Sequence, residues 1–173
     1  MPQIILRQDK GILVTLEEDG LVKKVVSGSN ISGLRRVKPK GIVDREIRTL
    51  QLLKDVLNVQ RFVKRETETV FYTEYIPGDS LLKFPKYSLD NQYFGDLMNI
   101  TKQCQNKGIY RLGQNRRDFL IDSEGNPAII DFGNILFDDD PIAKIPGLIF
   151  LARLYINLRI RDIQRRYVSR NGN

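Results

Sequence analysis

The sequence predicts an α+β fold in two parts, a small antiparallel sheet carrying one helix and then a shorter, mainly helical half. Three observations point there. Short β-rich runs at 3–7, 12–18 and 21–26 are separated by Asp9-Lys10-Gly11 and Glu18-Asp19-Gly20, which read as hairpin turns. Val43, Ile47, Leu50 and then Leu53 or Lys54 recur at three and four residues, the spacing of a helix with one buried face. Beyond the turn signal Ile76-Pro77-Gly78, helical patterns dominate as far as Tyr167, interrupted by one hairpin. The expected division is 1–76 for the sheet part and 77–173 for the helical part.

In chain order, the three opening strands lead into a polar, basic, glycine-containing stretch over 27–41, read as a loop. The helix over 43–57 follows. Residues 59–66 and 69–75 read as two more strands around a polar turn, and a proline-containing linker runs on to Tyr87. Residues 89–108 read as a helix closed by Gly108. Phe119–Asp122 and Pro127–Asp131 form a hairpin across Ser123-Glu124-Gly125-Asn126, and a last helix runs to about Tyr167.

Composition narrows the chemistry. The chain has no His, so imidazole catalysis and the Ser-His-Asp and Cys-His schemes are excluded. Its single Cys104 cannot form an internal disulfide. The N-terminal stretch has no basic segment followed by an apolar run and a cleavage site, so the expectation is a cytoplasmic chain. The net charge of +7, from 28 Lys and Arg against 21 Asp and Glu, suits phosphorylated ligands, nucleic acid or an anionic membrane face.

The residues that carry chemistry lie around the late hairpin. Ile129 and Ile130 suit a buried strand, Asp131 stands where it ends, and Gly133 permits a sharp turn. A carboxylate held there suits a hard cation such as Mg²⁺, and a turn aspartate capping the next segment shows the same pattern. Asp118 lies across the hairpin, which brings both carboxylates to one end where they can clamp Mg²⁺ on nucleotide phosphates. In the third strand Lys23 and Lys24 face opposite sides. Lys24 shares a face with Val22 and Val26, and two solvated lysines on an edge strand are the plain alternative.

Phe119–Gly133 resembles the catalytic-loop hairpin and metal-binding Asp-Phe-Gly of the protein-kinase superfamily. The match is nearest to small bacterial members of the lipopolysaccharide-core-kinase type and to atypical, RIO-like kinases. The resemblance implies a minimal two-lobed protein-kinase-like fold, with a small antiparallel-sheet N-lobe and a reduced helical C-lobe. It implies an Mg-dependent, ATP-dependent phosphotransferase acting on a protein, sugar or lipid-linked sugar hydroxyl. Asp131 falls on the principal metal ligand, and Asp118 on the second, where the family has Asn. Val43–Leu53 resembles the family's helix after the nucleotide lysine, with Glu46 at its acid and Lys24 as the phosphate-contacting lysine it holds. Thr73–Leu81 resembles the segment between lobes, where the backbone of Glu74, Tyr75 and Ile76 would bond adenine.

Two departures matter. Where the family has its catalytic Asp this chain has Gly113, and where it often has His this chain has Arg111. The family's glycine-rich phosphate loop is reduced to Gly11, with Gly28 and Gly33 lying after the lysine. Three readings follow: a divergent kinase recruiting Asp122 or another carboxylate, a pseudokinase that binds nucleotide or acts as a scaffold, and a basic protein binding nucleic acid or a membrane surface. The last rests on Arg153, Asn157, Arg161 and Arg165, which form one polar stripe on the final helix, with Leu151, Tyr155, Leu158 and Ile163 away from it. It also suggests a peripheral position at the inner membrane face.

Overall fold

The computed structural model describes residues 4–9, 11–28, 30–32, 35–113 and 115–168, and at 30–32 and 35–37 the backbone alone. Lys10 of the first expected turn and Gly33 lie outside the described residues. The chain divides into two compact units. The first holds residues 1–54 and 60–76; the second holds 55–59 and 77–173.

In the first unit, β1 (Ile4–Asp9), β2 (Ile12–Leu16), β3 (Leu21–Val26), β6 (Phe62–Arg65) and β7 (Val70–Glu74) form one antiparallel sheet in the order β1-β2-β3-β7-β6. Asp9 opposes Ile12, so β1 and β2 are joined by a two-residue turn. Gly11 is needed there on two counts. Its φ is +78°, and a side chain would sit 2.5 Å from the backbone of Gly28. The stretch expected as a loop holds a short ribbon, β4 (Asn30–Ser32) with β5 (Arg35–Val37), and then α1 (Pro39–Leu52). The helix begins earlier than its apolar spacing suggests because Pro39 is preorganised for a first helical turn. Val43, Ile47 and Leu50 of α1 are buried, as are Val22 and Val26 of β3 and Phe71 of β7.

The second unit contains β8 (Asp79–Ser80), α2 (Asn91–Asn106), β9 (Ile109–Arg111), β10 (Phe119–Ile121), β11 (Pro127–Ile129), β12 (Ile135–Phe137) and α3 (Leu148–Tyr167). Strand order is β11-β10-β8 in one sheet and β12-β9 in another. Asp90 caps α2, its Oδ1 accepting from the Tyr93 amide at 2.9 Å. Gly78 passes so close to β10 that a Cβ would lie 2.7 Å from the Ile121 carbonyl oxygen. The segment after α1 joins this unit by backbone bonding: Val59 bridges Ile129 in parallel, and the Ile129 amide donates to the Asn58 carbonyl at 2.9 Å. Leu97, Ile109, Phe119, Phe137, Ile156 and Ile160 form its core.

The last helix departs from expectation. Its buried face is Ala152, Ile156, Ile160, Ile163 and Tyr167. Of the residues expected opposite the polar stripe only Ile163 is buried, while Leu151, Tyr155 and Leu158 are exposed. Among the described residues no helix is long and apolar enough to cross a membrane.

Cys104 lies buried on α2, and its desolvation pushes the thiol up to about 12. A thiol reagent at pH 8 is expected to leave it unmodified in the native protein and to modify it fully in urea. Because the folded-state value is raised, this contribution to stability is complete below the unfolded thiol value of about 8.5. It is expected to fall by about 1.4 kcal/mol per pH unit from there towards the folded value, as measured by urea unfolding.

Candidate functional site

Strand alternation sets the candidate group of the first unit. In β3 the side chains of Val22, Lys24 and Val26 point inward while Lys23 points to the other side. A buried ammonium needs a partner, and α1 supplies it from its own buried face at Glu46. Lys24 Nζ donates to Glu46 Oε1 at 2.7 Å and to Oε2 at 2.8 Å. The two residues are 7% and 2% exposed, so both charges have left water and are held by each other. Lys23 instead meets Glu66 at 3.0 Å and lies 5.4 Å from the centre of the Tyr72 ring. Hydrogen bonds to Tyr72 and Glu66 raise its pKa above the ordinary lysine value.

The late hairpin sets a separate candidate group in the second unit. The Ile130 amide donates to the Asp118 carbonyl at 2.9 Å, so the pairing of β10 with β11 brings positions 118 and 131 to the same end. Their carboxylates have different surroundings there. Asp118 is 5% exposed, and its Oδ2 accepts from Arg111 Nη2 at 2.7 Å. Arg111 also donates from Nε to the Asp131 carbonyl at 2.9 Å, and its guanidinium carbon lies 5.2 Å from the Phe119 ring centre and 6.0 Å from that of Phe132. Asp131 is half-buried, with Oδ1 accepting from the Gly133 amide at 3.0 Å. Its φ is +66°, a left-handed conformation that costs a non-glycine residue about 1–3 kcal/mol and persists only where the surroundings impose it.

The expected pair of acids thus lies at one end of the hairpin, with an arginine between their backbone and side-chain groups. A guanidinium stands 2.7 Å from Asp118 and supplies the positive charge that a divalent cation would otherwise bring. Among the described residues no group of three or more His, Cys, Asp or Glu is gathered to hold a metal ion. The donor set suits a hard cation held through Asp131 with ligands that come from outside the protein, such as phosphate oxygens.

Arg111 holds this end of the hairpin, and motif reading noted it only as a departure from the family pattern. The signal was present as a double departure from the family pattern, Arg for His at 111 and Asp for Asn at 118. One change adds a positive charge and the other a negative one. The partner strands also matter: Arg111 opposes Ile135 in the β9–β12 pair, which fixes the backbone from which it reaches Asp118.

The remaining predicted positions fall as follows. Gly113 faces Asn134, whose Cβ would be 3.2 Å from an added Cβ, and the Leu112 amide donates to the Asn134 carbonyl at 2.9 Å. Asp122 organises the β10–β11 turn, its Oδ1 accepting from the amides of Glu124 at 2.9 Å and Asn126 at 2.7 Å. Glu74 ends β7, and its carbonyl accepts from Gln60 Nε2 at 3.3 Å. Tyr75 is 41% exposed, and the division between units falls just after Ile76. Asp9 opposes Ile12 across β1 and β2, and of the expected phosphate-loop glycines only Gly11 falls between them in sequence.

Comparison with solved structures gives two Rio2 kinase structures from Chaetomium thermophilum. The Rio2 kinase itself aligns with a TM-score of 0.65 at 16% identity, over 96% of this chain and 58% of its own. Its ADP/Mg²⁺-phosphoaspartate complex aligns with a TM-score of 0.66 at 16% identity, over 98% and 57%. The chain therefore has a protein-kinase-like fold of mixed α and β structure, with the expected small antiparallel sheet. Curated relatives include CBL-interacting serine/threonine-protein kinase 21 of Arabidopsis thaliana, 30% identical over 53% of this chain and 24% of the relative. CBL-interacting protein kinase 9 of Oryza sativa subsp. japonica is 26% identical over 78% of this chain and 30% of the relative. The chain spans about a quarter to a third of the length of these relatives. No family model matches it.

Replacing Arg111 by Met leaves the Asp118 carboxylate buried without its cation, and urea unfolding is expected to register a loss of about 3–5 kcal/mol. The double variant Arg111→Met, Asp118→Leu removes both charges and is expected to be more stable than Arg111→Met alone. If the single variant unfolds at the wild-type urea concentration, the pair does not organise this end of the hairpin.

Proposed function

We propose that this chain is an ATP-dependent phosphotransferase that uses Mg²⁺ and passes phosphate to a hydroxyl on a protein, sugar or lipid-linked sugar. The observation that carries this reading is the bidentate Lys24–Glu46 pair, a buried lysine oriented by a helical glutamate at 2.7 and 2.8 Å. A structural lysine gains nothing from such burial, since the desolvation of both charges rivals their attraction. An ammonium kept in place for phosphate oxygens justifies that cost.

In this reading Lys24 binds the α- and β-phosphates, and Glu46 keeps it aimed. Asp131 is the leading metal ligand, its strained backbone held through the carbonyl by Arg111. Asp118, neutralised by Arg111, contributes mainly by keeping that arginine in position. The backbone of Glu74, Tyr75 and Ile76 serves adenine. Bound Mg²⁺ neutralises phosphate charge during transfer. Further support comes from the neighbouring Rio2 kinase complex, which is described with ADP and Mg²⁺.

A second reading is favoured by Gly113: a pseudokinase that binds nucleotide and acts as a scaffold. Gly113 carries no carboxylate, and the oxygens of Asp122 are occupied in a turn. The two readings share a nucleotide-binding step and separate at turnover.

Calorimetry is expected to detect Mg-ATP binding to the wild-type chain, weakened by about tenfold or more in Asp131→Ala and in Lys24→Met. Unchanged affinity in both variants would refute the assignment. Release of ADP with label appearing on an acceptor supports the phosphotransferase; tight binding with no turnover supports the pseudokinase.

A further inference from the structure

The final helix has two apolar faces, and the core uses one of them. Ile156 and Ile160 are fully buried on the inner face. On the opposite side, Phe150 is 68% exposed, Leu151 58%, Leu154 44%, Tyr155 47% and Leu158 53%. At 100° per residue these five fall on one outward arc over a little more than two turns. The same arc continues into Arg161 and Arg165, both exposed. Leu151 and Tyr155 also border an open groove of about 460 Å³, together with Leu112, Leu136, Ile142 and Leu148.

From this arrangement we propose that the outward face of α3 docks on an anionic lipid bilayer. Phe150, Leu151, Leu154, Tyr155 and Leu158 enter the boundary between headgroups and acyl chains, and the arginines of the same arc meet lipid phosphates. Three features choose this occupant. The apolar patch lies on a protein of net charge +7, so an acidic surface attracts it before contact. A second copy of the chain offers no acid on this helix to receive Arg161 and Arg165, because Asp162, the only acid of α3, accepts from Arg159 at 3.4 Å and Arg166 at 2.9 Å. A nucleic-acid backbone would leave the aliphatic centre of the patch without a partner, since phosphate contacts are polar. The helix is too short in apolar sequence to span the bilayer, which leaves a position in the interface plane. This inference stands apart from the nucleotide reading and needs none of its residues.

The test is sedimentation of the full chain with phosphatidylcholine vesicles, with and without phosphatidylglycerol, alongside light scattering of the free protein. Binding to the acidic vesicles is expected, with little to phosphatidylcholine alone. Leu154→Glu with Leu158→Glu, and separately Arg161→Glu with Arg165→Glu, are each expected to weaken binding by about tenfold or more. All four residues are exposed, so both variants should keep the wild-type circular dichroism and unfolding midpoint. Three results would overturn the proposal. One is no binding to acidic vesicles. Another is acidic-vesicle binding that survives Leu154→Glu with Leu158→Glu, which would make it charge attraction alone. The third is a dimer in solution that the same pair of substitutions splits.

Discussion

The arrangement of the late hairpin depends on one buried cation. Arg111 cannot lose its proton in a protein interior, so burial at 6% exposure demands a counter-charge and hydrogen-bond acceptors for its rigid fork. Asp118 gives the charge at 2.7 Å, the Asp131 carbonyl gives an acceptor at 2.9 Å, and the Phe119 and Phe132 rings give apolar contact. Remove any of these and several kcal/mol of desolvation is left uncompensated. Asp131 adopts φ +66° in this setting, where its carbonyl is held from one side and its carboxylate from the other by the Gly133 amide. The protein's own guanidinium therefore organises this end of the hairpin before any ligand arrives.

Two buried ion pairs, one in each unit, obey the same electrostatics and suit different tasks. Arg111 and Asp118 meet through a planar group with fixed donor directions, a geometry that specifies structure. Lys24 and Glu46 meet through a compact ammonium on a flexible stem, a point charge that can turn towards phosphate oxygens while its carboxylate partner keeps it aimed. In the proposed reading, arginine and lysine are divided according to whether the charge stays fixed or is shared with a ligand. This division also explains why a cation near Asp131 would draw on oxygens from its ligand, since the neighbouring acid is already neutralised.

What could be read from the residues was whatever had a period or a spacing behind it. Alternation in β3 placed Lys24 beside Val22 and Val26, and helical spacing placed Val43, Ile47 and Leu50 on one face of α1, while Glu46 on that buried face was singled out by the kinase resemblance. The hairpin of β10 with β11 showed in its two apolar runs and its Ser-Glu-Gly-Asn turn. β9 and β12 were not legible, because they are three residues each with no hairpin turn between them to mark the pair, and with them went the frame that fixes Arg111. The transfer of residues 55–59 to the second unit rests on backbone bonds to Ile129, which leave no mark on side-chain pattern. On α3 the pattern was misread because apolar residues on two faces blur the helical period. The inner set is separated from Leu151 and Leu158 only by what each touches.

In the proposed phosphotransferase reading, Gly113 bears on rate more than on binding, and the physical chemistry of phosphoryl transfer says why. The transition state is loose, so charge neutralisation by cations and alignment of the reacting groups carry most of the acceleration. A positioned base contributes a factor of about 10²–10⁴. In the proposed reading, Lys24 and a cation on Asp131 supply the first contribution, and Gly113 withholds the second. The fit around Gly113 makes that loss hard to reverse by one substitution: a Cβ there would press within 3.2 Å of the Asn134 side chain, whose backbone also receives the Leu112 amide. A carboxylate side chain at 113 thus requires Asn134 to give by a few tenths of an ångström. On the proposed reading, such a chain would hold a nucleotide and leave the acceptor hydroxyl to be activated by its own acidity or by a group the acceptor brings.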